Sequence, residues 1–389
     1  MHPYGLDDKS ASLHAQSLSI ADETAARHAA DVDRRAHFPE ESLRALGAAG
    51  LNGLTVPAAQ GGLGQGLRPF CAVAEELGRA CASSAMVYVM HVSATQAIAS
   101  SKLGDRDELL RAIAKGEHLT TLSLSERGSR SQFWAPVSKL TPKGDAFVTN
   151  AAKSWVTSAN HADSYVSSAQ APDAKSPLES TIYLARTDAA EVRPQSGFDG
   201  LGLRGNDSQP VSIENLAVAK RDLLTEQGKG ADMMLGVILP WFAVGTAAMA
   251  HGLCRAAVTA TAQHLSSTTF EHSGTALRDL PQLRARIATM SVRTEASRAL
   301  LGRTLGIMES GAAEAPLFVL SARKLALETE LEVTDLAMKA CGGAAFSRQG
   351  DAASVERMHR DARAGWVMAP TVDHLDDFIG KALTGLPLF

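Results

Sequence analysis

The cysteines and the glycine-rich stretch of the chain are the first candidates for binding a metal or a phosphate. Their spacing favours neither ligand. The cysteines Cys71, Cys81, Cys254 and Cys341 lie far apart except for one ten-residue gap, which fits neither a zinc site nor a dense disulfide framework. The glycine-rich stretch QGGLGQG, residues 60–66, has no strand before it and no Gly-Lys-Ser/Thr after it, so it predicts a turn and not a phosphate cradle. We expect reduced, mostly buried thiols.

Hydroxyl and aromatic side chains are concentrated in the middle of the chain, in TLSLSERGSRSQFW (121–134) and KSWVTSANHADSYV (153–166). Aromatic side chains can supply apolar contact surface, and hydroxyl groups can donate and accept hydrogen bonds. Serine and threonine in strands are also ordinary β-formers. Taken singly, these residues therefore fit a structural role as well as a binding role.

The elements that position these residues differ along the chain. From about Leu13 to His118, apolar residues recur at helical spacing, and residues 119–225 change to short β-branched and aromatic stretches between turn residues. Helical spacing then returns, with an apolar stripe from Leu283 to Met308 that is typical of a bundle helix. We predict an α+β protein with a helical domain (1–118), an antiparallel β domain (119–225) and a helical bundle (226–389).

Charge and hydropathy exclude several classes of function. Lys and Arg number 38 against 42 Asp and Glu, a net charge of −4, and no Lys/Arg run exceeds two residues, so neither a nucleic-acid partner nor an anionic membrane surface is expected. The N-terminus lacks the pattern of a signal peptide, and the apolar stretch from Met233 to Met249 is interrupted by a proline. We expect a cytoplasmic protein without a membrane span.

In order along the chain, these segments resemble the flavin-lining segments of the acyl-CoA dehydrogenase family. The resemblance continues through GFDGLGLRGNDSQPVSIENLAV (197–218), ACGGAAF (340–346) and ERMHRDARAGWVMAPT (356–371). It implies that family's fold, with an N-terminal helical domain, a middle antiparallel β domain and a C-terminal four-helix bundle. It also implies FAD as cofactor, with FMN as the alternative, and a homodimer or homotetramer in which paired glycines of one subunit approach the flavin of another.

The resemblance implies specific roles for individual residues. Trp155 forms the wall of the isoalloxazine ring, Thr157 faces its N5 region, and Ser125 addresses its pyrimidine edge. The full set of implied cofactor-binding residues is Leu124, Ser125, Ser131, Trp155, Thr157, Phe270, Gly342, Gly343 and Thr371.

Several positions depart from the family pattern. Ser267, Lys339 and Asp373 stand where the family carries an arginine and two glutamines, and all three positions contact the AMP half of FAD. Arg130-Ser131-Gln132 replaces Gly-Ser-Asp. Arg130 either pairs with a phosphate, or occupies the space where a CoA moiety would pass, or is a solvated loop residue. The pattern therefore favours binding of the flavin ring over binding of the AMP half.

The catalytic carboxylate of the family is missing from both of its usual positions. One position is Ala369, followed by Pro370, and the other is Leu235, followed by Gly236. An alkyl side chain cannot take the α-proton of a thioester. Three substitutes are considered, each with an alternative as a solvated aspartate or a core histidine: Asp373, Asp232 and His91.

Three functions remain open at this point. The first is α,β-dehydrogenation, or a variant of it, on an acyl-CoA or a carrier-bound acyl group, with an electron-transfer partner. The second is a monooxygenase on the same fold that takes reduced flavin from a separate reductase and reacts with oxygen. The third is a binding subunit that has lost catalysis, which persistence of the ring-contacting residues disfavours.

Overall fold

A computed structural model describes residues 2–350 and 352–388 and has helices at both ends of the chain and strands between them. This arrangement confirms the predicted α+β class. The N-terminal helices are α1 (Asp8–Ile20), α2 (Ala26–Arg35), α3 (Glu40–Ala48), α4 (Leu67–Ala80), α5 (Ala82–Ala99) and α6 (Arg106–Ala114). A five-residue π-helical segment, Ala21–Ala25, joins α1 to α2. Helices α4 and α5 are buried over most of their length and carry the N-terminal core.

Within the described residues, seven strands form two small sheets: β1 (Thr120–Ser123), β2 (Thr141–Lys143), β3 (Ala146–Val156), β4 (Ser164–Gln170), β5 (Ser180–Arg186), β6 (Val192–Pro194) and β7 (Gln209–Ala219). One sheet has the order β1-β4-β5 and the other β2-β3-β7-β6. All pairs are antiparallel, as expected, except β1 with β4, which is parallel. Parallel pairing is possible there because the chain forms β2 and β3 of the second sheet before it returns.

The C-terminal helices are α7 (Gly230–Met233), α8 (Leu239–Ser267), α9 (Pro281–Ser310), α10 (Ala315–Cys341), α11 (Gly343–Phe346), α12 (Ala353–Ala362), α13 (Ala364–Val367) and α14 (Val372–Thr384). Helices α8, α9 and α10 pack against one another, and α14 packs on α10. Leu283, Met290, Leu301 and Leu305 of the predicted stripe are buried on α9.

The continuous helix Gly230–Ser267 is long and apolar enough to cross a membrane, but 67% of its apolar window is buried inside the fold. It packs closely on α4 because Gly252 leaves room for the α4 backbone. A Cβ at that position would overlap the carbonyl oxygen of Glu75. This helix is therefore the core helix between the N-terminal domain and the bundle. The four cysteines are free and buried, as predicted.

Candidate active site

Trp155 is turned outward by an irregularity near the end of β3. The pairing of β3 with β7 shifts register between Lys153 and Val156, and Trp155 adopts a left-handed backbone conformation with φ of 58°. That conformation costs an L-residue roughly 1–2 kcal/mol. Its side chain is 67% exposed, whereas Val156 is buried. The fold thus maintains a strained residue that presents an apolar ring at the surface of the β domain.

Hydroxyl groups lie on either side of this tryptophan along the chain. The backbone N–H of Ser154 donates to the Ser125 carbonyl oxygen (3.0 Å), which places Ser125 beside β3. Thr157 is buried, and its Oγ1 is 3.2 Å from the Oγ of Ser208. The structure therefore places the backbone of Ser125 beside the end of β3, near Trp155 and Thr157. Leu124, which precedes Ser125, is buried in the main core.

An ion pair that we did not predict from the sequence fixes this edge. Lys153 Nζ lies 2.7 Å from Glu126 Oε1 and also donates to the Ser168 carbonyl oxygen at 2.7 Å, with side-chain exposures of 0% and 2% for Lys153 and Glu126. The backbone N–H groups of Val137 and Ser138 donate to Glu126 Oε2 at 2.8 and 2.7 Å. One carboxylate thereby holds both ends of the segment 126–138 against β3.

The charge state of this pair follows from its surroundings. Burial alone raises the pKa of the Glu126 carboxyl, but the Lys153 charge and the hydrogen bonds from Lys153 and Ser138 outweigh burial and leave the pKa below its ordinary value. Glu126 is therefore a carboxylate at neutral pH. The segment that it anchors carries Arg130 and Ser131, both in the left-handed conformation with φ of 50° and 69°.

A buried arginine on α10 hydrogen-bonds to the backbone of the segment that carries Ala369. Arg323 of α10 donates from Nη2 to the carbonyl oxygens of Met368 (3.1 Å) and Pro370 (3.5 Å), which flank Ala369. Its Nη1 donates to Thr246 Oγ1 at 2.7 Å. Burial lowers the pKa of this guanidinium to about 9, so it remains a cation at neutral pH. Arg323 was not among the residues singled out from the sequence.

The other empty base position, Leu235, lies in the π-helical segment Met234–Ile238 and is partly buried against the main core. The three candidate bases predicted from the sequence have different surroundings. Asp232 and Asp373 are exposed, and neither makes a hydrogen bond or ion pair within residues 2–350 and 352–388. Their catalytic role remains a prediction.

His91 is buried on α5, and both ring nitrogens are occupied. Nε2 lies 3.1 Å from the Asn52 carbonyl oxygen, and the Thr120 backbone N–H donates to Nδ1 at 3.2 Å. Burial lowers the pKa of His91 to about 4. This geometry supports a structural role, in which a neutral imidazole ties α5 to the start of β1.

Three of the predicted cofactor-binding residues, Phe270, Gly342 and Gly343, lie at the end of the bundle where α8 and α10 end and α9 begins. Phe270, 37% exposed, lies in the connection between α8 and α9, and Leu265, Leu283 and Ala340 of these three helices pack together. Gly342 has φ of 57° and, like Gly343, no atom within 4 Å of a Cβ placed on it. This open backbone fits approach of a dinucleotide. Lys339 uses its carbonyl oxygen to accept from Arg286 (3.0 Å).

The residues of the chain fit an isoalloxazine ring. The outward indole of Trp155 supplies the flat wall, Ser125 and Thr157 supply hydroxyls beside it, and Thr371 begins α14 as its N-cap. The loss of the family's contacts to the AMP half stays a prediction from the sequence.

Comparisons with known proteins agree with this architecture. A model of the acyl-CoA dehydrogenase N-terminal domain matches residues 8–117, and a model of the acyl-CoA dehydrogenase C-terminal domain matches residues 228–383. Cyclohex-1-ene-1-carbonyl-CoA dehydrogenase of Geobacter metallireducens is 26% identical over 367 residues, which cover 94% of this chain and 95% of that protein.

Solved structures show the same fold at lower sequence identity. Butyryl-CoA dehydrogenase from Megasphaera elsdenii has a TM-score of 0.91 at 20% identity, covering 98% of this chain and 99% of its own. An FAD complex of PigA has a TM-score of 0.89 at 16% identity, covering 98% of both chains. At these identities the likeness establishes the fold.

Proposed function

Since the chain belongs to the acyl-CoA dehydrogenase family of FAD-dependent oxidoreductases, we propose that it oxidises the Cα–Cβ bond of an acyl thioester without the usual glutamate. The observation that carries the proposal is the outward indole of Trp155 beside Ser125 and Thr157, since a flat apolar wall with adjacent hydroxyls suits a flavin ring. A bound FAD would supply the acceptor for the hydride that leaves the β-carbon. The chain itself positions the acyl group and must provide the acceptor for the α-proton.

The backbone at Ala369 is held in place on both sides. Arg323 donates to the carbonyl oxygens of Met368 and Pro370, which flank residue 369. The side chains of Ala369 and Leu235 cannot remove a proton, so the base must come from another residue.

We also propose a homodimer or homotetramer. Phe346, Trp366 and Val367 are 84%, 54% and 73% exposed and follow Gly342 in the same C-terminal region. Apolar side chains this exposed favour contact with a second copy, and that copy would bring its paired glycines to the flavin. Sedimentation equilibrium at micromolar concentration is expected to give a dimer or tetramer, and a monomer would contradict the proposal.

The proposed partners are an acyl-CoA or carrier-bound acyl group and an electron-transfer protein, with the enzyme in the cytoplasm. Ala369 and Leu235 stand where the family has its catalytic carboxylate. Because of this absence, the competing function is a monooxygenase that uses reduced flavin and oxygen. Product analysis separates the two. Enoyl-thioester formed from a saturated acyl-CoA with an artificial electron acceptor and no oxygen supports dehydrogenation, whereas a hydroxylated product that requires oxygen and a flavin reductase overturns it.

A further inference from the structure

His374 lies in the first turn of α14, three residues after the N-cap residue Thr371. Its Nδ1 is 2.9 Å from Thr371 Oγ1, and the same oxygen accepts the His374 backbone N–H at 3.5 Å. In the tautomer with its proton on Nδ1, the ring donates to Thr371 Oγ1. The lone pair of the neutral imidazole is then on Nε2.

Aromatic neighbours fix the plane of this imidazole. Trp134 meets it edge-on, with ring centroids 5.5 Å apart and an interplanar angle of 89°, and Phe378 lies one turn further along α14 with its centroid 6.1 Å away. Trp134 belongs to the segment 126–138 that Glu126 anchors to β3. His374 therefore lies where the β domain, through this segment, meets the helix that begins at the predicted flavin contact Thr371.

The Nε2 atom is available for chemistry. It has no hydrogen-bond partner among the described residues, 2–350 and 352–388, and the side chain is only partly buried. Asp373, the preceding residue, is exposed and makes no polar contact in that same part of the chain. Successive helical residues differ by about 100° in direction, which is why one of these neighbours packs against Trp134 and the other faces solvent.

We propose that Nε2 of His374 is the base that takes the α-proton of the acyl thioester, in place of the glutamate absent at Ala369 and Leu235. This inference rests on the proposed function. In the step, the Cα–H bond breaks and an N–H bond forms at Nε2, while the electron pair of the broken bond is delocalised into the thioester carbonyl. In the resulting imidazolium both ring nitrogens carry a proton, and Nδ1–H donates to Thr371 Oγ1, which stabilises the charge as a partner of a general-base histidine does.

Exchange of the α-hydrogens with deuterated water tests the step without turnover of the flavin. The probes are 3-thiabutanoyl-CoA and 3-thiaoctanoyl-CoA, in which sulfur at the β-position prevents hydride loss, and deuterium at Cα is read by mass spectrometry. The FAD-loaded wild type is expected to exchange. His374→Gln is expected to exchange at least about 10²-fold more slowly, while Asp377→Asn, an exposed carboxylate on the same helix, exchanges at the wild-type rate.

Two further variants keep the test independent of folding. His374→Ala, which leaves a space for a small base, is expected to regain exchange when imidazole is added, and its melting temperature and FAD retention are measured alongside. Exchange by His374→Gln at the wild-type rate overturns the role of His374, as does loss of exchange in Asp373→Asn with retention in His374→Gln. A wild type that neither binds nor exchanges any of the probes overturns the proposed function itself.

Discussion

Replacing Lys153 by methionine is expected to destabilise the protein strongly, because it leaves the Glu126 carboxylate buried without its counter-ion. Both side chains are almost fully buried, and Lys153 makes two hydrogen bonds of 2.7 Å that methionine cannot make. Removing one partner of a buried pair costs about 3–5 kcal/mol. With an unfolding entropy of roughly 0.8 kcal/mol/K for 389 residues, this corresponds to a melting temperature lower by about 4–6 °C if the chain unfolds as one unit.

The assay is a thermal melt of the wild type, Lys153→Met, Glu126→Gln and the double variant. The double variant is expected to melt above Lys153→Met, because it removes the uncompensated charge along with its partner. The Glu126 pKa lies below its ordinary value of 4.5, so the stability from this group is present above pH 4.5 and is lost as the pH falls through the folded pKa. The difference between wild type and Lys153→Met is therefore expected to shrink in acid. A double variant that melts below Lys153→Met, or a difference that grows in acid, refutes the reasoning.

Three other predictions follow from burial and packing. Trp155→Ala is expected to weaken FAD binding by about 1–3 kcal/mol, roughly 5–150-fold in Kd, in a fluorescence titration of the apoprotein, and an unchanged Kd counts against the indole as the flavin wall. Burial raises the pKa of the Glu330 carboxyl well above 4.5. The contribution of this group to stability is therefore fully present below pH 4.5 and is lost as the pH rises toward the folded pKa. The melting temperature of Glu330→Gln should rise relative to that of the wild type as the pH rises, and a difference that stays constant with pH contradicts this. Gly252→Ala is expected to lower the free energy of unfolding by about 3 kcal/mol or more, because its methyl group would overlap the Glu75 carbonyl. Gly380→Ala on α14, with nothing within 4 Å of the new Cβ, should raise it by about 0.5–1 kcal/mol. Similar denaturation midpoints for the two variants refute the packing argument.

The order of helices and strands was predictable because periodicity is a local property. The spacing of Leu283, Met290, Leu301 and Leu305 marks one face of α9, and these residues are buried in the bundle. The parallel pairing of β1 with β4 was not predictable, because it depends on where the chain returns after forming two strands of another sheet.

Some parts of the candidate site could not be predicted from the sequence. They depend on contacts between distant residues, or on which of two adjacent helical residues faces the site. Glu126 and Lys153 are 27 residues apart, and Arg323 reaches the carbonyl of Met368 across 45 residues. No spacing rule connects such pairs. Asp373 was chosen from its distance to Ala369. Helix α14 begins only at Val372, however, and it directs the residue after Asp373, His374, toward Trp134.

The most direct test of the central claim is anaerobic mixing of the FAD-loaded protein with a panel of saturated acyl-CoAs while the visible absorbance of the flavin is recorded. If the chain oxidises the Cα–Cβ bond of an acyl thioester, at least one acyl-CoA bleaches the flavin and the enoyl-CoA is recovered in equal amount. Bound flavin that no acyl-CoA of the panel bleaches, together with oxygen-dependent product formation when a flavin reductase is added, would contradict the account.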